Sequence, residues 1–307
     1  MKALVTGGAG FIGSHLSAAC VKAGHSVTVV DDLSSGHRAN VPEGVRFEEL
    51  DVRSTATATL VEEVKPDVIF HYAAQMNVRC SVEDPLFDAS VNITGTINLL
   101  EAAHKAGTRK VVFASSGGTV YGNPESFPCR EDVTPTHPVS PYGVSKLSGE
   151  HYLHYYHVTY SMDYVAFRYA NIYGPRQDPH GEAGVVAIFA QALLEGRDCT
   201  IFGDGLQTRD YVFVDDVVSA NMDCLGKDFC GALNIGTGRE TNVVDLFAAI
   251  KKHAGGSGKA VHAEAKEGEA RRNCLDASRA NYELGWLPAT SLDQGLAATV
   301  DFFRSRS

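Results

Sequence analysis

The sequence predicts an α/β protein, a doubly wound parallel sheet followed by a smaller α/β C-terminal substrate lobe. Three observations carry that expectation. Short apolar runs alternate with segments of helical spacing through the first half, a glycine-rich turn joins the first run to the first helix, and the alternation loosens after about residue 175. Strands buried on both faces of a parallel sheet read as near-continuous apolar runs, which these do.

In order, the first strand is Lys2–Thr6, and a helix is expected over 11–23. Ser26–Asp31 is β-branched and ends in acid. Strands over 46–51 and 68–72 bracket a helix over 57–64. A long helix is expected over 85–105, then a strand over 110–115, a helix over 142–160 and the strand Asp163–Tyr169. Gly174-Pro175 is a turn signal. Beyond it the pattern gives helices over 185–195, 215–225 and 242–253 and the short strand Cys199–Phe202, with 254–258 (AGGSG) as the most flexible-looking stretch. The expected division is 1–175 and 176–307, with some crossing of the chain between lobes and a ligand cleft between them.

The 307 residues are 44% hydrophobic and 21% charged, enough apolar matter for a large core and too little polar bias for disorder. A net charge of −10 with the signs interspersed argues against a nucleic-acid or anionic-membrane surface. No apolar run approaches the roughly 20 residues that span a bilayer. The chain enters a strand at once, so no signal peptide is expected. Seven cysteines, at 20, 80, 129, 199, 224, 230 and 274, stand singly without a C-x-x-C pair, which reads as reduced thiols in a cytoplasmic protein. His151, His154 and His157 recur every three residues on a helix and read as a polar face, and no metal is expected.

The chemistry begins at residues 6–13, TGGAGFIG. Gly7, Gly10 and Gly13 lie between strand and helix, where a pyrophosphate can approach the backbone and the helix N-terminus offers free N–H groups. Asp31 follows at the end of the second strand, placed to accept from both ribose hydroxyls and to repel a 2′-phosphate, with Asp32 adding charge. The arrangement is the Rossmann-type dinucleotide fingerprint and favours NAD over NADP. Asp51 and Val52 end the next strand; an adenine contact and a helix N-cap are both open for Asp51.

Tyr142 and Lys146 stand at i and i+4 and share one face of a helix. An ammonium and a nicotinamide cation would both favour the phenolate over a phenol of ordinary pKa near 10, making Tyr142 a base toward a sugar hydroxyl while hydride leaves its carbon.

Together these stretches resemble the extended short-chain dehydrogenase/reductase superfamily, and most closely its UDP-glucose 4-epimerase-like UDP-sugar 4-epimerases, over essentially the whole chain. The matching runs are TGGAGFIGSHL, HYAAQ, NITGTINLLEAA, SSGGTVYG, SPYGVSKLSGE, RYANIYGPRQ, FGDGLQTRDYVFVDDVV, NIGTG and GEARRNCLDASRANYELGW. The resemblance implies that Phe11, Ile12, Asp31, Asp32, Ser34, Asp51 and Val52 touch NAD, with Tyr72, Ala73, Ala74, Gln75 and Asn92 on the nicotinamide side. Tyr142 is implied as catalytic base and Lys146 as its partner. Asn171, Thr200, Ile201 and Phe202 are implied to cradle the uridine, and Arg209 and Arg271 to pair with the diphosphate, for which guanidinium forks are suited. A homodimer through the helices at 85–105 and 142–160 is implied as well.

One position departs from the pattern. Relatives carry Ser or Thr three residues before VYG, where this chain has Gly117; Ser116, Thr119, water, or Tyr142 acting alone are left to serve the sugar oxygen. The Asp-Glu pair that 4,6-dehydratases need is replaced by Gly118-Thr119. The implied activity is therefore NAD-dependent 4-epimerisation of a UDP-hexose, UDP-glucose/UDP-galactose first. UDP-glucuronate and UDP-N-acetylglucosamine are the alternative sugars, the small Asn273 leaving room for the latter. A non-catalytic NAD-binding protein is the rival of another class.

Overall fold

The computed structural model describes residues 1–180, 184–265 and 270–306. In chain order its strands are β1 (Lys2–Thr6), β2 (Ser26–Asp31), β3 (Arg46–Glu49), β4 (Val68–His71), β5 (Lys110–Ser116), β6 (Asp163–Tyr169), β7 (Asn171–Tyr173), β8 (Cys199–Phe202), β9 (Thr208–Phe213), β10 (Gly231–Ile235), β11 (Glu240–Asn242) and β12 (Ala260–Ala263). The helices are α1 (Phe11–Lys22), α2 (Thr55–Val64), α3 (Val78–Glu83), α4 (Pro85–Ala89), α5 (Gly95–Ala106), α6 (Pro141–Tyr160), α7 (Val185–Leu194), α8 (Val214–Asp223), α9 (Val243–Ala254), α10 (Ser278–Leu284) and α11 (Leu292–Arg304).

Among the described residues the main sheet has seven strands, all parallel, in the order β10-β6-β5-β4-β1-β2-β3. The order reverses between β1 and β4, and a doubly wound sheet opens its ligand crevice at the carboxyl ends of such a pair. One face is covered by α1, α8 and the buried Trp286, and the other by α2, α5 and α6. A third apolar cluster joins α7, α9 and α11 to β8 and β9. There β9 lies between β7, parallel, and β11, antiparallel, while β8 and β12 pair separately. The strand β10, well past residue 175, completes the edge of the main sheet beside β6.

The sheet elements follow the apolar runs within a residue or two. The expected long helix over 85–105 is instead α4, a π-helical turn at Ser90–Thr94, and α5. Asp84 caps α4 by accepting from Phe87 N at 2.9 Å. The wider π-turn holds Asn92 toward the Gln75 backbone, which is the use such bulges commonly serve. The short helix α3 is not visible in the apolar spacing; Asn77 caps it, accepting from Cys80 N at 2.9 Å. The stretch 254–258, expected to be the most flexible-looking, is closely packed at two of its glycines. Ideal Cβ atoms on Gly256 and Gly258 would each stand 2.0 Å from a carbonyl oxygen, of Leu193 and Arg197, so these glycines permit close backbone packing.

A buried ion pair ties α6 to the sheet. Arg168 on β6 grips Glu150 through Nε at 3.0 Å and Nη2 at 2.7 Å, and each side chain is 8% exposed. Ser115 Oγ donates to the same carboxylate, and Arg168 Nη1 donates to Tyr121 Oη at 3.0 Å. Arg168→Met leaves a buried carboxylate without its cation and is expected to cost about 3–5 kcal/mol in urea unfolding, the double change Arg168→Met/Glu150→Leu less. Equal losses in the two would contradict the pairing.

Candidate functional site

The turn after β1 is pressed into the crevice at the switch point. Gly7 has φ +68°, and a Cβ there would stand 2.6 Å from Ala73 N, at the exit of β4. A Cβ on Gly13 would meet Gly7 O at 2.2 Å, so the first turn of α1 rests directly on the glycine loop. The N-cap is Gly10, and among the described residues no side chain caps the helix. The N–H groups of Phe11, Ile12 and Gly13 are therefore available to an anion at the positive helix end.

Asp31 ends β2 almost fully buried, accepting from Ala9 N through Oδ2 and from Leu33 N through Oδ1, each at 2.9 Å. Burial raises its pKa, and those backbone donors oppose the rise. Asp32 accepts from Ser34 N at 3.0 Å and Ser34 Oγ at 2.6 Å. Asp51 is not a helix cap: Ser54 caps α2, and Arg53 Nε reaches both Asp51 oxygens. Val52 is buried, and its carbonyl accepts from Asn98 Nδ2 at 2.7 Å. A glycine cradle that a Cβ would fill, an uncapped helix end and a buried carboxylate after β2 fit NAD.

Past β4, Gln75 and Asn92 bond reciprocally: Gln75 N donates to Asn92 Oδ1 at 3.0 Å, and Asn92 Nδ2 to Gln75 O at 2.8 Å. Ala73 and Ala74 are half-buried beside them. Tyr72 differs from expectation in one respect. Its hydroxyl bonds Tyr169 Oη and, at 2.8 Å, Asn221 Oδ1, so only its ring and backbone are left for a ligand.

The helix α6 starts at Pro141 behind the Ser140 cap, and Tyr142 N donates to Ser81 Oγ at 3.2 Å. Lys146 Nζ lies 5.7 Å from the Tyr142 ring centroid and 4.9 Å from that of Phe113. Burial raises the Tyr142 phenol above its ordinary value, and the Asp88 charge adds to the rise. Burial pulls Lys146 down from 10.5 to about 8, against the opposing pull of Asp88. The ammonium was expected to favour the phenolate; within the chain itself desolvation wins instead.

The structure explains why position 117 has no hydroxyl. A Cβ on Gly117 would stand 2.4 Å from Leu275 Cδ1 and 3.2 Å from Arg168 O, so the buried Leu275 fills the space. Of the two substitutes, Ser116 is half-buried at the end of β5. The Thr119 Oγ1 is buried and has no hydrogen-bond partner among the described residues. Thr119 sits against α6, its Cβ 3.2 Å from where a Cβ on Gly143 would be. Asn273 Nδ2 donates to Gly117 O at 3.2 Å, and its buried Oδ1 likewise lacks a partner among the described residues.

In the C-terminal half Asn171 opens β7, half-buried. On β8 Thr200 is exposed and Phe202 half-buried, but the Ile201 side chain belongs to the third apolar cluster and leaves only its backbone for a ligand. Arg209 is half-buried on β9 and donates to Thr208 O at 2.8 Å. Arg271 is a surface fork that already grips Asp204 at 2.7 and 2.8 Å, which lowers the Asp204 carboxyl to about 2. Gly268 and Glu269, which open the last of the sequence motifs, lie outside the described residues. His157, read as part of a polar helix face, is gathered with Asp163 and Cys230, their donor atoms within 4.8 Å of one another. That group stands at the amino end of β6, the opposite end of the sheet from the glycine turn.

The family model described as the NAD dependent epimerase/dehydratase family matches residues 3–236. The chain belongs to that family. Over the full length of both proteins it is 50% identical to the UDP-glucose 4-epimerase of Mycolicibacterium smegmatis. A Thermotoga maritima UDP-glucose 4-epimerase solved with UDP-glucose superposes with a TM-score of 0.97 at 44% identity, covering 100% of this chain and 99% of that one. A Thermus thermophilus UDP-glucose 4-epimerase solved with NAD gives 0.95 at 42% identity, covering both chains fully.

Several groups that shape this family site were not read from the sequence. Asp88, Ser145 and Ser81 hold the start of α6, and a buried chain runs from Thr6 through His71 to Thr96 at 2.8 and 3.0 Å. Asp88 did carry a signal, standing four residues before Asn92 and so on its helix face. Arg176 donates to Ser14 Oγ at 3.2 Å. Gly117→Ser is expected to cost about 1–3 kcal/mol by overpacking Leu275, and Leu275→Ala in the same chain to restore much of it. Thermal unfolding checks this, and a Gly117→Ser protein as stable as the parent would contradict it.

Proposed function

We propose that this chain is an NAD-dependent UDP-sugar 4-epimerase that interconverts UDP-glucose and UDP-galactose. The observation that carries the reading is the pair formed by the half-buried Tyr142 and the buried Lys146 at the start of α6, in a chain alike over its whole length to UDP-glucose 4-epimerases. NAD, when bound, supplies the acceptor for the hydride from sugar carbon 4 and returns it. Gly7, Gly10, Phe11, Ile12 and Gly13 hold its pyrophosphate, and Asp31, Asp32 and Ser34 the adenosine ribose. Asp51 and Val52 border the adenine, and Tyr72 to Gln75 with Asn92 line the nicotinamide side.

Tyr142 takes the proton of the carbon-4 hydroxyl and gives it back after the 4-keto sugar has turned. Lys146 keeps a positive charge beside the phenol and the cofactor ribose. Because Leu275 closes position 117, the sugar oxygen is bonded by the Thr119 hydroxyl, which has no partner among the described residues, or by Ser116. Arg209 and Arg271 pair with the diphosphate, Arg271 exchanging Asp204 for it, and Asn171 with β8 borders the uridine. On this reading residues 1–175 hold NAD and 176–307 the nucleotide sugar, with β10 crossing back to the sheet.

The working form is a homodimer. Val82 and Leu86, 62% and 83% exposed on α3 and α4, and Val144, Tyr155 and Val158 on α6 supply an apolar face for a second copy. Seven free thiols support a cytoplasmic location, and among the described residues no helix is long and apolar enough to cross a membrane.

Purified protein given UDP-galactose is expected to form UDP-glucose without accumulating NADH. Tyr142→Phe should lose on the order of a thousandfold in turnover or more while keeping NAD. Turnover confined to UDP-glucuronate or UDP-N-acetylglucosamine would overturn the sugar assignment, and a small effect of Tyr142→Phe the base. Sedimentation of the same samples should give twice the chain mass, and the mass of one chain would overturn the dimer.

A further inference from the structure

Asp88 is a buried carboxylate to which the reaction above gives no part. It lies on α4, fully buried, and its oxygens accept from three neutral donors: Gln75 Nε2 at 3.0 Å, Asn92 Nδ2 at 2.9 Å and, through Oδ2, Ser145 Oγ at 2.6 Å. Each donor belongs to the site. Gln75 and Asn92 form the reciprocal pair beyond β4, and Ser145 precedes Lys146 on the helix that carries Tyr142. A charge is retained in such a place only where hydrogen bonds and a nearby opposite charge favour it.

We propose that Asp88 is a positioning residue for this site: through Ser145 it clamps the first turns of α6 to the Gln75–Asn92 pair, and its negative charge keeps Lys146 an ammonium in a buried setting. The inference rests on the reading of Tyr142 and Lys146 given above. Lys146 Nζ stands over the Phe113 ring of β5 and the Tyr142 ring of its own helix, next in sequence to the Ser145 that Asp88 of α4 holds, and it is within electrostatic reach of Asp88 and of His71 on β4. His71 is fully buried and pushed down to about 3, so it carries no charge near neutrality. Glu150, one helical turn on, is engaged by Arg168 and Ser115. Asp88 is thus the acid that acts on the pair, and it favours the protonated form of both members. Its charge favours the cation on Lys146 and holds the proton on Tyr142 until a further positive charge arrives.

The test follows Lys146 directly, by the pH dependence of its Cε resonance in ¹³C-lysine-labelled protein, assigned by its loss in Lys146→Met. The midpoint in the parent protein should lie near 8. Asp88→Asn keeps the shape and removes the charge, and should lower that midpoint by about one unit or more. Ser145→Ala keeps the charge, so its midpoint should match the parent. Its kcat should still fall about tenfold, with KM and bound NAD unchanged, because the helix turn is no longer clamped. An unmoved midpoint in Asp88→Asn, or a parent midpoint below 7, overturns the charge role; the second result needs no variant to fold. Parental kcat in Ser145→Ala overturns the clamp. Absence of UDP-sugar turnover in the parent would instead sink the functional reading and leave the titration standing.

Discussion

Desolvation at the start of α6 is the constraint on which the rest of this structure depends. The Lys146 ammonium is buried and the Tyr142 phenol half-buried beside it, and desolvation moves their proton affinities toward the neutral forms, Tyr142 upward and Lys146 downward. The proposed reaction calls for a phenolate at Tyr142 and an ammonium at Lys146. Lys146, lowered to about 8, keeps its positive charge near neutrality, and the Tyr142 phenol is the member poised to ionise when a positive charge enters the crevice.

The fold supplies the burial. The order of the sheet reverses at β1 and β4, the glycine loop after β1 lies so close to the exit of β4 that a side chain at Gly7 would collide with backbone there, and α1 lies so close to the loop that one at Gly13 would collide with Gly7. That closeness brings the uncapped end of α1, the acid after β2 and the Gln75–Asn92 pair to one crevice. The π-turn at Ser90–Thr94 adds the local widening that sends Asn92 back across it. The Arg168–Glu150 pair then fixes α6 to the sheet, so the helix is held at both its sheet side and its α4 side.

How much of this could be read in advance depended on whether a signal was local. Apolar runs placed the six strands of the first half, and the glycine spacing with Asp31 placed the dinucleotide end, because periodicity and turn chemistry are written in neighbouring residues. The strands β7, β9, β11 and β12 and the helices α10 and α11 were not placed, since their partners are distant in the chain. Residues 231–235 gave no hint that β10 pairs with β6. Tyr142 and Lys146 lie together on one helix face, as their i, i+4 spacing implies, but the sign of the phenol shift was not legible, because burial is a property of the assembled fold. Nor could Gly117 be understood alone, since Leu275, which occupies its space, lies far along the chain. Arg271 carried no mark of its partner Asp204.

The most direct measurement is a tyrosinate difference titration at 295 nm of the parent protein against Tyr142→Phe, with NAD stripped and with NAD restored. The account predicts that the Tyr142 phenolate is absent below the ordinary range of phenols, near pH 10, in stripped protein and appears at clearly lower pH once NAD is bound. A phenolate already present near neutrality in stripped protein, or no response to NAD, would contradict it.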